Sequence, residues 1–274
     1  MRDFQQGGLP NSARRHFLGI SAAVAGRIAA VGAASLPILA STSKRAKAEE
    51  DDDHHGHDGH DGHHCFLRGT RILTPRGEVP IEELAIGALV ETLNGPLPVR
   101  WIGRQTFKKT ASRWPSSVAP IRVARFALDD QYPSRDLYLS PTHSLFVDGF
   151  LIPVKHLVNG TSVAPAQMDD REVIEYFHIE LETHEVVFAE GAPAETLQVT
   201  TDREGFANFV EYERLYGSDE RPAMAPFAPL LRFYGGRAEL QGLLRLALSP
   251  IVDVRDPIQR ARARIDARAE LVDV

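Results

Sequence analysis

With 274 residues, 43% apolar and 25% charged, the chain is long and apolar enough for one sizeable core or two small ones. Its net charge of −6 is uneven: residues 1–48 hold seven Lys or Arg and one acid, leaving 24 basic and 36 acidic residues beyond them, and so acidic a body argues against nucleic-acid binding, which needs basic patches. One cysteine, Cys65, excludes an internal disulfide, so its thiol is either incidental or chemical.

Residues 1–48 read as an export signal. Arg14 and Arg15 precede a Phe-Leu pair and a weakly apolar stretch to about Ala40, and Ala46-Lys47-Ala48 offers small residues for cleavage after Ala48. The pattern resembles a twin-arginine signal and predicts an exported protein, periplasmic or extracellular. Arg27 interrupts the apolar run, so no stable membrane span is expected, since an arginine centred in lipid costs about 3 kcal/mol or more. Residues 49–64, "EEDDDHHGHDGHDGHH", contain no apolar side chain and are expected to be disordered, because nothing there can bury surface. Within that tract His54, His55, His57, His60, His63 and His64 are candidate ligands for adventitious Zn, Cu or Ni; the plainer alternative is a solvated spacer.

From Cys65 to about Thr200 the chain reads as short strands between turns. "TRILT", "PVRWIG", "IRVARFAL", "LYLSPTHSLFV", "VIEYFHIELE" and "HEVVFAEG" are β-branched or aromatic runs bounded by Gly, Pro, Asn and Asp, which predicts a mostly β domain over 65–200. An internal repeat lies inside it. Thr70 to Gly87 and Thr142 to Gly160 share Thr, then Leu three residues on, then Gly, then a Pro-[Ile/Val]-x-x-Leu-x-x-Gly run. The offset reads as 72 up to Gly77/Gly149 and 73 from Pro80/Pro153, which implies one inserted residue and two related halves.

Residues 201–274 read as a connector plus a helical extension. The Pro-rich "SDERPAMAPFAP" predicts a surface connector. Two helices are then expected: one over "GGRAELQGLLRLALSP", with Leu240, Leu243, Leu244 and Leu248 on one face, and one over "RDPIQRARARIDARAEL", with Asp256 as N-cap and Pro257 at the first helical position.

The chemistry centres on Cys65, which opens the β domain directly after the polar tail. A thiolate beside the preceding carbonyl can attack it and replace the His64–Cys65 amide by a thioester, given a group that protonates the departing nitrogen and another that polarises the carbonyl. Histidine is the natural proton donor near neutral pH. Beyond the tail the histidines are His143, His156, His178 and His184; taken singly, each suits a structural or surface role better than a catalytic one.

Together "CFLRGTRILTPRGEVPIEELAIGALVETLNGPLPVRWIG", "LSPTHSLFV" and "HIELETHEVVFAEG" resemble the Hint domain of Hedgehog autoprocessing domains, inteins and bacterial intein-like proteins, with bacterial Hint-domain proteins the nearest in pattern. The resemblance covers about residues 65–200 and implies a pseudo-two-fold, all-β horseshoe, which agrees with the repeat. It implies that Cys65 is the nucleophile of an N-to-S acyl shift and that His143, in the Thr-x-x-His-like box, assists scission. Ser140 stands where that box usually has Thr, His184 matches a later histidine, and Gly69 and Thr70 match a structural turn. The chain departs from splicing inteins in lacking a terminal Asn: "VVFAEG" runs into "APAETLQV". The implied function is therefore autoprocessing at His64–Cys65 with hydrolysis or acyl transfer, on the protein's own upstream peptide, toward an unknown acyl acceptor, with no cofactor required. The alternative is an inactive Hint scaffold carrying a His-rich metal-binding arm, and the least supported reading is a hydrolase acting on other proteins.

Overall fold

The computed structural model describes residues 64–198, 203–217, 223–231 and 257–272. In chain order the strands are β1 (Phe66–Leu67), β2 (Arg71–Thr74), β3 (Gly77–Pro80), β4 (Leu89–Thr92), β5 (Gly95–Pro98), β6 (Trp101–Lys108) and β7 (Ile121–Val123). There follow β8 (Leu137–Leu139), β9 (Ser144–Val147), β10 (Phe150–Pro153), β11 (Val163–Pro165), β12 (Val173–Glu180), β13 (Val186–Ala189) and β14 (Ala192–Glu195). All pairings between these strands are antiparallel. One sheet runs β11-β7-β8-β1-β12-β6; the other runs β10-β9-β14-β13-β2-β3, with β4 joined to β13 and to β5. The mostly β class read from the sequence is the class observed.

The repeat is real, but its offset differs from the sequence reading. In both halves a hairpin with a two-residue turn leads into a 3-10 turn: β2 and β3 into Ile81–Glu83, β9 and β10 into Val154–Leu157. Arg71 faces Pro80 as Ser144 faces Pro153, and the N–H of Ile81 donates to the Thr70 carbonyl as that of Val154 donates to the His143 carbonyl, each at 2.8 Å. These pairs lie 73 positions apart throughout. No residue is inserted, and the counterpart of Thr70 is His143 rather than Thr142. The glycines misled because the two turns differ: Asp148 and Gly149, at φ +52 and +88, form the second turn, whereas Gly77, at φ +115, follows the turn made by Pro75 and Arg76.

Several quoted runs break where the chain must turn. "PVRWIG" straddles the end of β5 and the start of β6, and in "IRVARFAL" only Ile121–Val123 is strand, with Phe126 at φ +61. The eight-residue pairing of β6 with β12, from Trp101↔Glu180 to Lys108↔Val173, forms one margin of the first sheet. The C-terminal half of β12 is buried on both faces. One face meets the main core of Phe66, Ile72, Leu139 and Ile179; the other meets a second cluster of Cys65, Leu67, Trp101, Met168 and Tyr176.

Residues beyond 201 contribute to both clusters, more than a connector would. Helix α1 (Phe209–Tyr216), not expected from the sequence, sets Tyr212 edge-on to Trp101 at 5.3 Å, and Phe206 meets the same ring at 5.4 Å. Arg203 holds the buried Glu180 carboxylate through two 2.8 Å bonds. Segment 223–231 runs along β10, with Leu230 bridging Leu151 in parallel. Helix α2 (Pro257–Val272) starts at Pro257, as expected, and inserts Ile258, Ala261 and Ile265 into the main core. The other expected helix, over residues 235–250, and Asp256 lie outside the described residues, as do residues 1–63 with the export signal. No helix among the described residues is long and apolar enough to cross a membrane.

Candidate functional site

Ser140, Pro141, Thr142 and His143 make the tight link between β8 and β9, closed by the His143 N–H donating to the Ser140 carbonyl at 3.1 Å. The following 3-10 turn pins it: Val154 N–H donates to the His143 carbonyl and Lys155 N–H to that of Pro141. Ser140 thereby lies against the start of β1. Its Oγ accepts the Cys65 N–H at 2.8 Å, and its own N–H donates to the Cys65 carbonyl at 2.9 Å. Both backbone polar groups of Cys65 are held by one residue, and the nitrogen of the His64–Cys65 peptide bond has a fixed direction. The Cys65 side chain is fully buried in the second cluster, and burial pushes its thiol well above the usual cysteine range. In the resting fold it is a thiol, not a thiolate.

Across β1, Phe66 faces the other way, onto histidines. Its ring lies 4.2 Å from that of His143 and 6.0 Å from that of His178, and the two imidazoles are 5.2 Å apart, edge to face. In the β1–β12 register Phe66 faces Phe177, so the next residue along β12, His178, stands opposite Cys65. Neither ring nitrogen of His143 or His178 has a hydrogen-bond partner among the described residues. Burial lowers His143 to about 4, opposed by the Glu195 carboxylate and by the backbone carbonyls of His64 and Glu195; burial holds His178 well below the usual histidine range, with nearby His143 adding to it. Both are neutral at pH 7.

A buried carboxylate completes the cluster. Glu195, at the end of β14, accepts the Ser144 N–H at 2.7 Å and a bond with His64 Nδ1 at 2.8 Å, and its other oxygen lies 3.8 Å from His184 Nε2. Burial raises the carboxyl, but the hydrogen bond and charge of His64, with His143 and His178 nearby, outweigh it and keep Glu195 ionised far below its ordinary value. His184 Nδ1 accepts the Phe227 N–H at 3.0 Å, which leaves its proton on Nε2, facing Glu195. Its own affinity for a second proton is lowered, chiefly by burial. The arrangement offers a thiol, an oriented amide nitrogen, two neutral imidazoles without partners among the described residues, and one fixed anion.

A family described as the Hint domain matches residues 64–201, half of the chain. The chain belongs to the Hint-domain family. Among solved structures, the Hint domain is similar to a gp41-1 intein variant (11% identity, 48% of this chain and 98% of that one, TM-score 0.35) and to an MchDnaB-1 intein (12%, 48% and 99%, TM-score 0.35). A bacterial intein-like domain from Clostridium thermocellum is similar at 14% identity, over 48% of this chain and 98% of that one, again with a TM-score of 0.35. No curated protein matches the chain.

Of the residues read from the sequence, this Hint domain brings Cys65, Ser140 and His143 together and sets His184 at the far side of Glu195. His156 lies half-exposed in the second 3-10 turn. His64 corrects the expectation of disorder up to residue 64: it is half-buried and bonded to Glu195. The other proposed metal ligands, His54, His55, His57, His60 and His63, lie outside the described residues. Among the described residues, no group of three or more His, Cys, Asp or Glu is arranged to hold a metal ion. Sequence reasoning missed His178 and Glu195 as members of the cluster. Glu195 left a signal, as a lone carboxylate in the small, apolar "APAETL", but His178 left none: in "YFHIELE" it alternates onto the same face as Tyr176, Glu180 and Glu182, which reads as a solvent face.

Proposed function

We propose that this Hint domain processes itself at the His64–Cys65 bond by an N-to-S acyl shift. The Cys65 Sγ attacks the His64 carbonyl carbon, its proton passing to a neutral imidazole, His143 or His178. The carbon–nitrogen bond then breaks, and the Cys65 nitrogen leaves with a proton as a free amine. One S–H and one C–N bond are exchanged for one C–S and one N–H bond, so protons and electrons balance without a cofactor. The observation that carries this reading is the clamp of Ser140 on Cys65, which orients the departing nitrogen while the His143 ring sits near the His64 carbonyl. Water or another nucleophile opens the thioester and releases or transfers the upstream peptide. Splicing is not proposed, because β14 ends at Glu195 and is followed by Thr196 rather than by a residue that cyclises. The segment Arg14 to Ala48 supports export before or after this step, and the released peptide would carry the His-rich tract with its capacity for Zn, Cu or Ni.

A fully buried thiol with a raised pKa also favours a second reading, an inactive scaffold that presents the tract. Intact-mass measurement of the full chain, with and without dithiothreitol or hydroxylamine, separates the two. Autoprocessing predicts loss of everything upstream of Cys65 in the wild type and none in Cys65→Ala; an unchanged wild-type mass under both nucleophiles sinks it and leaves the scaffold.

A further inference from the structure

Glu195 has no part in the acyl shift just described, yet its carboxylate is buried among the histidines. Its side chain is 4% exposed, and such a carboxylate is costly unless its lone pairs are matched. One partner is the Ser144 backbone N–H, which belongs to the fold and is always present. His184 faces the other oxygen from 3.8 Å, beyond hydrogen-bond reach. The remaining direct partner, the His64 Nδ1–H at 2.8 Å, belongs to the segment upstream of Cys65, and the His64 side chain is 29% exposed, so it enters from the open side. A side chain at position 64 without a donor at that height leaves the carboxylate short of a hydrogen bond, and an acidic one meets a like charge.

We infer that Glu195 reads the side chain immediately upstream of Cys65, selecting a histidine or another short N–H donor there, and that this contact positions the acyl group of the scissile bond. The inference rests on the autoprocessing reading and adds a donor specificity to it. The consequence is geometric. His64 carries the carbonyl under attack, Ser144 follows His143 directly, and Glu195 ties His64 to Ser144, so the carbonyl is tethered beside the His143 ring on one side and beside the nitrogen clamped by Ser140 on the other. Glu195 is thus a positioning residue: it touches the donor's side chain, not the reacting atoms.

The test uses the full chain and the rate of dithiothreitol-induced cleavage, followed by intact mass, for His64→Ala, His64→Asn, Glu195→Gln and the double variant His64→Ala/Glu195→Gln. Asn places an amide N–H where Nδ1 stood. The expected result is a loss of tenfold or more in His64→Ala, recovery of most of the rate in His64→Asn, and an effect of His64→Ala that shrinks to about twofold once Glu195 is Gln. A His64→Ala rate within twofold of wild type, or effects that multiply independently, overturns the inference. Melting temperatures of the same variants in a Cys65→Ala background keep the two failures apart. If the wild type does not cleave, non-additive melting shifts of His64 and Glu195 still support recognition of the upstream residue while the acyl shift falls, and additive shifts reject recognition as well.

Discussion

Acid should weaken this fold well above the carboxylate range, and the buried histidines set the amount. His143 is held at about 4 in the folded chain against an ordinary 6.5, so the unfolded chain binds a proton that the folded one refuses. Stability is therefore full above about pH 6.5, falls as the pH drops through the window from 6.5 to 4, and gains no further loss from His143 below it. Taken alone, this group costs about 2 kcal/mol by pH 5 and about 3 kcal/mol by pH 4. His178 and His184, both lowered chiefly by burial, act in the same direction. Glu195 has the opposite kind of shift, a carboxyl held down, and its contribution is lost only as the pH falls below its ordinary 4.5, so it leaves the upper part of the window to the histidines. Urea unfolding of the Cys65→Ala chain at several pH values, read by fluorescence of the buried Trp101, measures the slope. His143→Gln, which does not titrate, should remove about one proton of it, or about 1.4 kcal/mol per pH unit. A midpoint that stays level or rises between pH 6.5 and 5 would refute neutral burial of these imidazoles.

Two substitutions probe the supports of the site. Ser140→Ala removes the acceptor of the buried Cys65 N–H and should cost about 1–3 kcal/mol in urea unfolding and slow thioester formation, whereas Ser140→Thr keeps the hydroxyl and most of the rate; equal loss in both would separate the hydroxyl from the effect. At Gly103, opposite His178 in the sheet, an added Cβ would stand 2.6 Å from the Phe206 ring, so Gly103→Ala should displace that ring from Trp101 and lower stability by about 1–3 kcal/mol; an unchanged melting temperature would mean that residues 203–217 yield freely.

Much of the architecture is legible in the linear chain because it depends on local chemistry. The strand class follows from β-branched and aromatic runs between turn residues, and the start of α2 follows from a proline at its first position. Cys65 stands out by its place directly after a tract without apolar side chains, and Ser140 with His143 by falling in one tight turn. The register of the repeat was not legible, because a glycine marks a backbone that needs positive φ without saying at which turn position the need arises.

What the sequence by itself determined is therefore the strand-bearing runs and the place of the single thiol at the start of the β domain. What only the tertiary structure decided is which distant groups form one cluster: His178 from β12, Glu195 from β14 and His64 from the upstream peptide, 131 positions from its carboxylate partner. Alternation can tell that two residues lie on opposite faces of a strand, but not that both faces are covered, and in this fold the far half of β12 is buried on both. The physical reason is that covering the second face takes residues 203–217 folded onto Trp101, a long-range contact that no local pattern encodes. That cover and the two sheets together bury the Cys65 thiol and the imidazoles, and burial is what holds all of them uncharged.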